Sequence, residues 1–249
     1  MPNVSEGRDR AVLDALSAAC GQSLLDRHLD PDHHRSVFTL AGPDDVEALT
    51  AVQRLARAVA ERLDLRRHTG VHPRLGALDV VPFVSLDAAP TAAVEAGRSF
   101  AEWVVQELAV PVFLYDACAR GHRSLPEVRR TAFTTTPPDL GPGQPHPRLG
   151  AVAVGAREPL VAVNCWLAAG DLTLARSVAA AVRERDGGLP GVRALGLALP
   201  SRGMAQVSMN LVALGRTGVE EACTAVRQRV EAAGSRVERV ELVGLLPAT

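Results

Sequence analysis

The chain has 249 residues, which is enough for one large domain or for two smaller domains with separate cores. Its 47% hydrophobic and 22% charged residues are typical of an ordinary globular protein, and a net charge of −1 gives no electrostatic reason to expect nucleic acid or an anionic membrane as a partner. Lysine is absent, which excludes a lysine Schiff base and a P-loop.

The first half of the chain alternates helical and strand-like patterns. Apolar residues recur every three or four positions from Val46 to Leu63, behind the helix-start residues Pro43, Asp44 and Asp45, and they predict a helix. Two more helices are predicted, a leading one after Ser5 and another over residues 87–108. Strands are predicted over residues 23–26, 36–41, 77–84 and 110–115.

A long loop and a regular series of elements make up the second half. Residues 134–150 are too rich in proline and glycine to continue a helix, and a loop of this length in a compact protein is usually functional. The pattern that follows is strand, helix, strand, strand, helix, strand, which is the ferredoxin-like order. These six elements are predicted over residues 160–167, 171–185, 193–199, 205–214, 218–233 and 237–243.

The element order predicts an α/β (α+β) fold of two lobes, over residues 1–159 and 160–249. Each lobe is expected to be a mixed or antiparallel sheet with helices mainly on one face. The four cysteines are widely spaced and form no CxxC pair, so we predict buried, reduced thiols. The start of the chain has no apolar signal core and no apolar run is long enough to span a membrane, so we predict a cytoplasmic protein.

The six residues HPRLGA occur twice, from His72 and from His146. Each copy ends a loop and precedes a strand, and Gly76 and Gly150 each permit a tight turn or a close approach to a ligand. A repeated fold, two loops at one ligand and chance are all compatible with the repeat. His72 is the stronger functional candidate because its loop is held at the mouth of a strand, and a histidine suits proton transfer near neutral pH.

A second cluster of histidines lies upstream in LLDRHLDPDHHRSV. His28, His33 and His34, together with neighbouring aspartates, are residue types that bind metals. No recognised metal-ligand spacing is present, however, and each histidine alone is more typical of a surface or hydrogen-bonding residue. We therefore predict no metal site.

An ordered series of motifs resembles the formiminotransferase family (glutamate formimidoyltransferase). The series is PNVSEGR, HTGVHPRLGALDVVPF, PVFLYD, DLGP with GAVAVGAR, AQVSMNL and ELVGLLP. The resemblance runs from about Pro2 to Pro247 and covers an N-terminal and a C-terminal subdomain, 1–159 and 160–249. It stops where bifunctional members continue into a cyclodeaminase domain.

The resemblance implies transfer of a formimino group from N-formimino-L-glutamate to tetrahydrofolate as co-substrate, in histidine catabolism. It also implies two ferredoxin-like subdomains beside a groove, and a homodimer whose other partners are small-molecule substrates. By the same resemblance, the catalytic histidine is His72 and the folate-contacting loop is Gly141–Gly150, including Pro142. At His28, His34, Val71 and Leu149 the chain departs from the residues usual in the family.

Further site residues are predicted around this histidine, each beside a structural alternative. Arg35 and Arg74 are candidates to bind substrate carboxylates, and the alternative for Arg74 is an ion pair with Asp79. The remaining candidates for substrate or folate contacts are Asn3, Glu6, His28, Gly76, Gly141, Gly150 and Gln206. For the turn that holds Asn3 and Glu6, the alternative is helix capping by Ser5, and for Gln206 it is strand packing.

Three other functions stay open on the sequence alone. The chain could act on a folate with another one-carbon donor, such as a formyl group. It could be a folate-binding module without turnover. It could also be a histidine–aspartate metalloprotein built on residues 26–34, which the spacing favours least.

Overall fold

The computed structural model describes residues 1–42, 44–85 and 90–245. The chain divides into two compact units, Met1–Glu158 and Pro159–Thr249. The predicted helix-start residue Pro43, the predicted helix start at Asp87 and the motif end at Pro247 lie outside the described residues.

The first unit contains a six-stranded sheet in the order β2-β3-β1-β4-β6-β5. Strands β4, β6 and β5 run parallel to one another, and the other neighbours are antiparallel. The elements in chain order are β1 Asn3–Val4, α1 Arg10–Cys20, β2 Leu24–Asp30, β3 Arg35–Leu40, α2 Asp45–Arg62, β4 Leu78–Phe83, α3 Pro90–Leu108, β5 Val112–Asp116, α4 Leu125–Thr131 and β6 Val152–Ala156.

The two-residue strand β1 changes the interpretation of the first helix. We expected α1 to lead the fold, but β1 precedes it and pairs with both β3 and β4. The elements β1 to β4 with α1 and α2 therefore form a complete ferredoxin-like unit, in the sheet order β2-β3-β1-β4. The pair β5 and β6 extends that sheet on its β4 side.

Helices cover both faces of this sheet, but unequally. Alternate residues of β5 point to opposite faces, as in any strand. Val112 packs in the core that α1, α2 and α3 cover, whereas Phe113 packs with Val128 of α4 on the other face. Helices therefore lie mainly on one face, as predicted, and α4 is an addition that the sequence pattern did not reveal.

The second unit matches the predicted order of elements. Its sheet is antiparallel in the order β10-β7-β9-β8, the ferredoxin-like arrangement. Both α5 and α6 pack against one face through apolar residues such as Val178 and Val226. The elements are β7 Val161–Leu167, α5 Leu172–Val182, β8 Val192–Leu199, β9 Met204–Leu211, α6 Val219–Ala232 and β10 Val237–Val243. The predicted fold class is confirmed, and no helix of the described residues is both long and apolar enough to cross a membrane.

The two HPRLGA copies lie side by side in the first unit. Gly76 and Gly150 form an isolated antiparallel bridge, with Ala77 N donating to Leu149 O at 2.9 Å and Ala151 N donating to Leu75 O at 3.0 Å. A Cβ on Gly76 would lie 2.0 Å from the Ala151 carbonyl oxygen, so this approach requires glycine.

Replacing Gly76 with alanine is therefore expected to destabilise the protein. The new Cβ would meet backbone atoms, which cannot rotate away, and overpacking of this kind costs about 1–3 kcal/mol. Gly215 is the matched control, because no described heavy atom lies within 4 Å of a Cβ built there. Urea unfolding of Gly76→Ala, Gly215→Ala and the wild type measures the difference. Equal losses for both variants would contradict the close approach.

Candidate active site

His72 begins the first HPRLGA copy and lies at the entry to β4. Its ring Nδ1 is 2.7 Å from the carbonyl oxygen of Pro73. A carbonyl only accepts hydrogen bonds, so Nδ1 carries the proton and Nε2 keeps its lone pair. Within residues 1–42, 44–85 and 90–245, Nε2 has no hydrogen-bonding partner. The ring is thus held in the tautomer that leaves one nitrogen free to accept a proton.

Asp79 anchors the surroundings of His72 and is fully buried. It is the extra residue of a β-bulge, because Val4 pairs with Leu78 whereas Asn3 pairs with Val80. Bulges commonly re-aim a side chain near an active site. Here the Asp79 carboxylate accepts hydrogen bonds from the backbone N–H groups of Leu75 and Gly76.

Two guanidinium groups bind the same carboxylate. Arg35 of β3 donates to Asp79 Oδ2 through Nη1, and Arg129 of α4 donates to the same oxygen through Nη2 at 2.6 Å. Burial alone would raise the pKa of the Asp79 carboxyl, but the charges of both arginines and its hydrogen bonds hold that pKa far below its ordinary range. Asp79 is therefore a permanent anion that holds two elements against the loop of His72.

The charges around His72 keep its ring neutral. Protein atoms crowd the ring although the residue as a whole is only half-buried. Burial, followed by the positive charges of Arg35 and Arg129, lowers the pKa of His72 well below its ordinary value, and the opposing charge of Asp79 does not restore it. The His33 ring lies near, with ring centroids 5.5 Å apart.

Arg35 is also fixed from its other side. Asn3 Oδ1 accepts from Arg35 Nε at 3.2 Å and from Nη2 at 3.0 Å. Arg35 is nearly buried, at 9% exposure. Three of its five N–H donors are therefore engaged by the protein, which leaves two for another acceptor.

Glu6 organises the turn that precedes α1. One carboxylate oxygen, Oε1, accepts from the backbone N–H groups of Gly7, Arg8 and Asp9, at 2.7–3.0 Å. The same oxygen lies 3.0 Å from His34 Nε2. Burial alone would raise the pKa of Glu6, but these backbone hydrogen bonds and His34 outweigh it and lower that pKa.

His34 has acceptors on both ring nitrogens. Its Nδ1 lies 2.8 Å from Thr69 O, and its Nε2 faces the Glu6 carboxylate. Because neither oxygen donates, each of these contacts needs the proton on the ring nitrogen that faces it. His34 also has a left-handed φ of 50°, so its backbone is held in a conformation that costs free energy for a residue other than glycine.

His68 and Arg74 form a second layer behind these groups. The His68 ring stacks on His34 with centroids 3.9 Å apart, and its Nε2 lies 2.9 Å from His34 O. Burial and the adjacent Arg74 guanidinium lower the pKa of His68 to about 4. Arg74 also donates to His72 O at 2.7 Å and to His33 O at 3.3 Å. The predicted alternative, an ion pair between Arg74 and Asp79, is not formed, and Arg35 and Arg129 pair with Asp79 instead.

His33 lies in the turn after β2, beside Asp30. Asp30 accepts from the backbone N–H groups of Asp32 and His33, both at 2.8 Å, and so closes the turn after β2. His33 Nε2 lies 3.9 Å from Asp30 Oδ2. Among the described residues no group of three or more histidines, cysteines or carboxylates is arranged to hold a metal ion.

Comparison with known proteins assigns the chain to a family. A model of the formiminotransferase domain, N-terminal subdomain, matches residues 1–157, and a model of the formiminotransferase domain matches residues 162–249. The chain belongs to the formiminotransferase family. The resemblance carried by the ordered motifs is thus confirmed, and membership of this family makes the chain a transferase.

Curated relatives align over nearly the whole chain. Glutamate formimidoyltransferase of Streptococcus pyogenes serotype M1 is 38% identical, over 100% of this chain and 88% of that protein. Glutamate formimidoyltransferase of Thermoplasma acidophilum is 36% identical, over 99% of this chain and 87% of that protein. Formimidoyltransferase-cyclodeaminase of Sus scrofa is 35% identical, over 99% of this chain but only 49% of that protein.

Three other predicted site residues of this formiminotransferase-family chain, His28, Gly141 and Pro142, lie in the first unit. His28 lies in β2 opposite Val37, on the sheet face that carries Asn3 and Arg35, and makes no side-chain hydrogen bond to a described residue. Gly141 and Pro142 are exposed in the loop before β6.

Gln206 lies in the second unit and is fully buried in β9, opposite Trp166. Ser5 does not cap α1, since its hydroxyl donates to Gly76 O at 2.8 Å and Asp9 is the N-cap.

Arg129 is the site residue that the sequence analysis missed. It lies on α4, a helix of seven residues that we did not predict. A signal was present, because Ser124 and Glu127 have the spacing of a capping box, and Ser124 does cap the helix. The pairing of Arg129 with Asp79, fifty residues away in sequence, is not visible in any local pattern.

Replacing Asp79 with asparagine is expected to destabilise the protein by about 3–5 kcal/mol, because two arginine charges lose their buried partner. Asp14→Asn is the control, since Asp14 pairs with Arg27 at 2.9 Å but its side chain is 70% exposed. An exposed pair of this kind contributes only about 0–1 kcal/mol. Urea unfolding at neutral pH measures both variants. Comparable losses would show that Asp79 does not hold the cluster.

His68 is expected to make stability depend on pH. Its folded-state pKa of about 4 lies below the unfolded value of about 6.5, so the unfolded chain binds the extra proton between these values. Stability should therefore fall as the pH falls from about 6.5 to about 4. His68→Gln should flatten this part of the curve, whereas His122→Gln, a change at an exposed histidine, should not. Parallel curves for wild type and His68→Gln would contradict the assignment.

Proposed function

We propose that the chain transfers the formimino group of N-formimino-L-glutamate to tetrahydrofolate, with His72 as the general acid and base. Family membership and the names of the relatives support formimino transfer as the reaction class. The observation that carries the role of His72 is its tautomer, in which Nδ1–H is bound to Pro73 O and Nε2 has no hydrogen-bonding partner in the part of the chain that the structure describes.

The proposed reaction needs one group that both removes and returns a proton. The folate amine attacks the carbon of the protonated amidine, the C=N π pair moves to the imino nitrogen as its lone pair, and the attacking nitrogen becomes positively charged in the tetrahedral intermediate. His72 Nε2 takes the proton from the attacking nitrogen. It then protonates the glutamate nitrogen, and the C–N bond to glutamate breaks with its electron pair going to that nitrogen. The lone pair on the former imino nitrogen re-forms a C=N bond when glutamate leaves. A neutral imidazole at the start fits this sequence, because only the unprotonated ring can take the first proton.

The carboxylates of the substrates need fixed positive charge. Arg35 and Arg74 remain the proposed ligands, although the protein engages part of each guanidinium group. The unused N–H donors of Arg35, on a side chain with little remaining freedom, suit a carboxylate at low entropic cost. Asn3 and Glu6 are proposed to act through orientation, Asn3 by holding Arg35 and Glu6 by holding His34.

The loop Gly141–Gly150 is the proposed folate contact. What supports it is the bridge between Gly76 and Gly150, which joins this loop to the loop of His72 inside the first unit. Gly141 has a φ of 85°, a conformation that favours glycine, so the loop has a defined path. The roles proposed for His28 and Gln206, the cytoplasmic location and the homodimer stay predictions.

The direct test is turnover of tetrahydrofolate and N-formimino-L-glutamate by purified wild type and His72→Gln. Loss of a general acid–base group typically lowers kcat by about 10²–10⁴-fold, and we expect a loss of that size. His122→Gln is the matched control. The absorbance change of the folate product follows the reaction.

Two outcomes would contradict the proposal in different ways. Equal turnover by wild type and His72→Gln would remove His72 from the chemistry. No turnover by the wild type, together with a rise in melting temperature on adding tetrahydrofolate, would favour a folate-binding module instead. Turnover with a formyl donor but not with the formimino donor would favour the other one-carbon chemistry.

A further inference from the structure

Arg129 donates a hydrogen bond to the backbone carbonyl that also accepts a hydrogen bond from the His72 ring. Its Nη1 donates to Pro73 O at 3.0 Å, and its Nη2 donates to Asp79 Oδ2 at 2.6 Å. The Arg129 side chain is 17% exposed; its contact with Asp79 is partly buried, whereas its contact with Pro73 O is exposed. The guanidinium group of Arg129 thus bridges the Pro73 carbonyl, in the loop of His72, and the Asp79 carboxylate, which accepts hydrogen bonds from the same loop.

The carbonyl of Pro73 receives two hydrogen bonds. One comes from Arg129 and the other, at 2.7 Å, comes from the Nδ1–H of His72. A carbonyl oxygen has two lone pairs and can accept both. The position of Arg129 therefore determines where the acceptor for Nδ1–H lies, and with it which ring nitrogen is left free.

We propose that Arg129 is a positioning residue, which fixes both the Nδ1-protonated tautomer and the neutral state of the His72 ring. The inference rests on the proposed function only for its effect on turnover. Its effects on tautomer and charge state are properties of the protein without substrate.

The neutral state follows first from burial of the ring and then from the charges that face it. Arg35 approaches from β3, Arg129 from α4, Asp79 from β4, and His33 from the turn before β3. The two arginines outnumber the one carboxylate, and Asp79 is shared between them. Removing the charge of Arg129 leaves one arginine against one carboxylate, so protonation of His72 becomes easier.

The test follows the ring of His72 by nuclear magnetic resonance in the full-length chain without substrate. Nitrogen-15 shifts of the imidazole give its tautomer, and a titration gives the pH at which it takes up a proton. Arg129→Gln is expected to raise that pH on the order of one unit, roughly tenfold in proton affinity. The acidic limb of kcat/KM should move upward by the same amount.

Arg130→Gln is the matched control, because Arg130 is the next residue of α4, is exposed, and makes no ion pair with a described residue. In Arg130→Gln, the His72 ring should take up its proton at the same pH as in the wild type. A folded Arg129→Gln with the wild-type titration would overturn the role of Arg129 in the charge state.

Arg129→Lys separates charge from position and serves if the glutamine variant does not fold. A lysine keeps the positive charge but lacks the planar fork that reaches Pro73 O and Asp79 together. We expect a titration within a few tenths of a pH unit of wild type, since the charge is retained, with a smaller Nδ1-protonated population and a lower kcat at unchanged KM. An unaltered tautomer would overturn the positioning role. If the wild type is inactive but its His72 ring and that of the variants show the expected tautomers and titrations, the proposed reaction is wrong and the positioning role of Arg129 is retained.

Discussion

The candidate site depends on one buried anion. Asp79 is fully inaccessible to water, and a lone carboxylate in that position would be strongly unfavourable. Two guanidinium groups and two backbone N–H groups satisfy it, and these donors come from β3, from α4 and from the HPRLGA loop. Because these four donors come from three different segments, the carboxylate joins three parts of the first unit to β4. The position of His72, the packing of α4 and the orientation of Arg35 all follow from this contact.

The two HPRLGA copies share one backbone requirement, but their side chains make different contacts. The common requirement is the bridge between Gly76 and Gly150, where a Cβ on either residue would strike the backbone of the other copy. The side chains differ in what they contact. Arg148 donates to Ala60 O at 2.6 Å near the end of α2, and His146 Nδ1 accepts from backbone N–H groups of its own turn. Nδ1 of His146 is therefore an acceptor, whereas Nδ1 of His72 donates and leaves the Nε2 lone pair without a partner among the described residues.

Local pattern was sufficient for most of the fold. The second unit could be predicted element by element, because each strand and helix is long, periodic and bounded by turn residues. The failures in the first unit have physical reasons. β1 has only two residues, too few to show alternation, and its existence depends on pairing with β3 and β4. β2 extends to Asp30 through charged residues and histidines, whose strand conformation is set by pairing with β3 rather than by propensity.

Only part of the candidate site could be predicted from the sequence, again because long-range contacts decide the rest. His72 could be identified from the motif and from the glycine that follows it. The partners that set its charge could not, because Arg35 and Arg129 reach Asp79 from positions 44 and 50 residues away in the chain. The nearest arginine in sequence, Arg74, was the obvious partner for Asp79, yet its fork is taken by backbone carbonyls and by His68. Proximity in sequence was therefore a poor guide to which arginine carries the electrostatic effect.

Three histidines of the first unit, His34, His68 and His72, show how their surroundings divide one residue type into separate roles. His34 lies between two acceptors, one of them the carboxylate of Glu6. Burial, followed by the charges of neighbouring arginines, lowers the pKa of His68 and of His72. A neutral ring with a low pKa is a weak base, but its conjugate acid is correspondingly strong. In the proposed reaction that bias helps the second half of the proton transfer, because departure of the glutamate amine requires a donor that gives up its proton readily. The first half is assisted by the substrate, since the attacking nitrogen becomes acidic once it has bonded to the amidine carbon. An imidazole with a low pKa therefore suits the proposed reaction. The cationic folate nitrogen gives up its proton readily, and the departing glutamate nitrogen needs a strong proton donor.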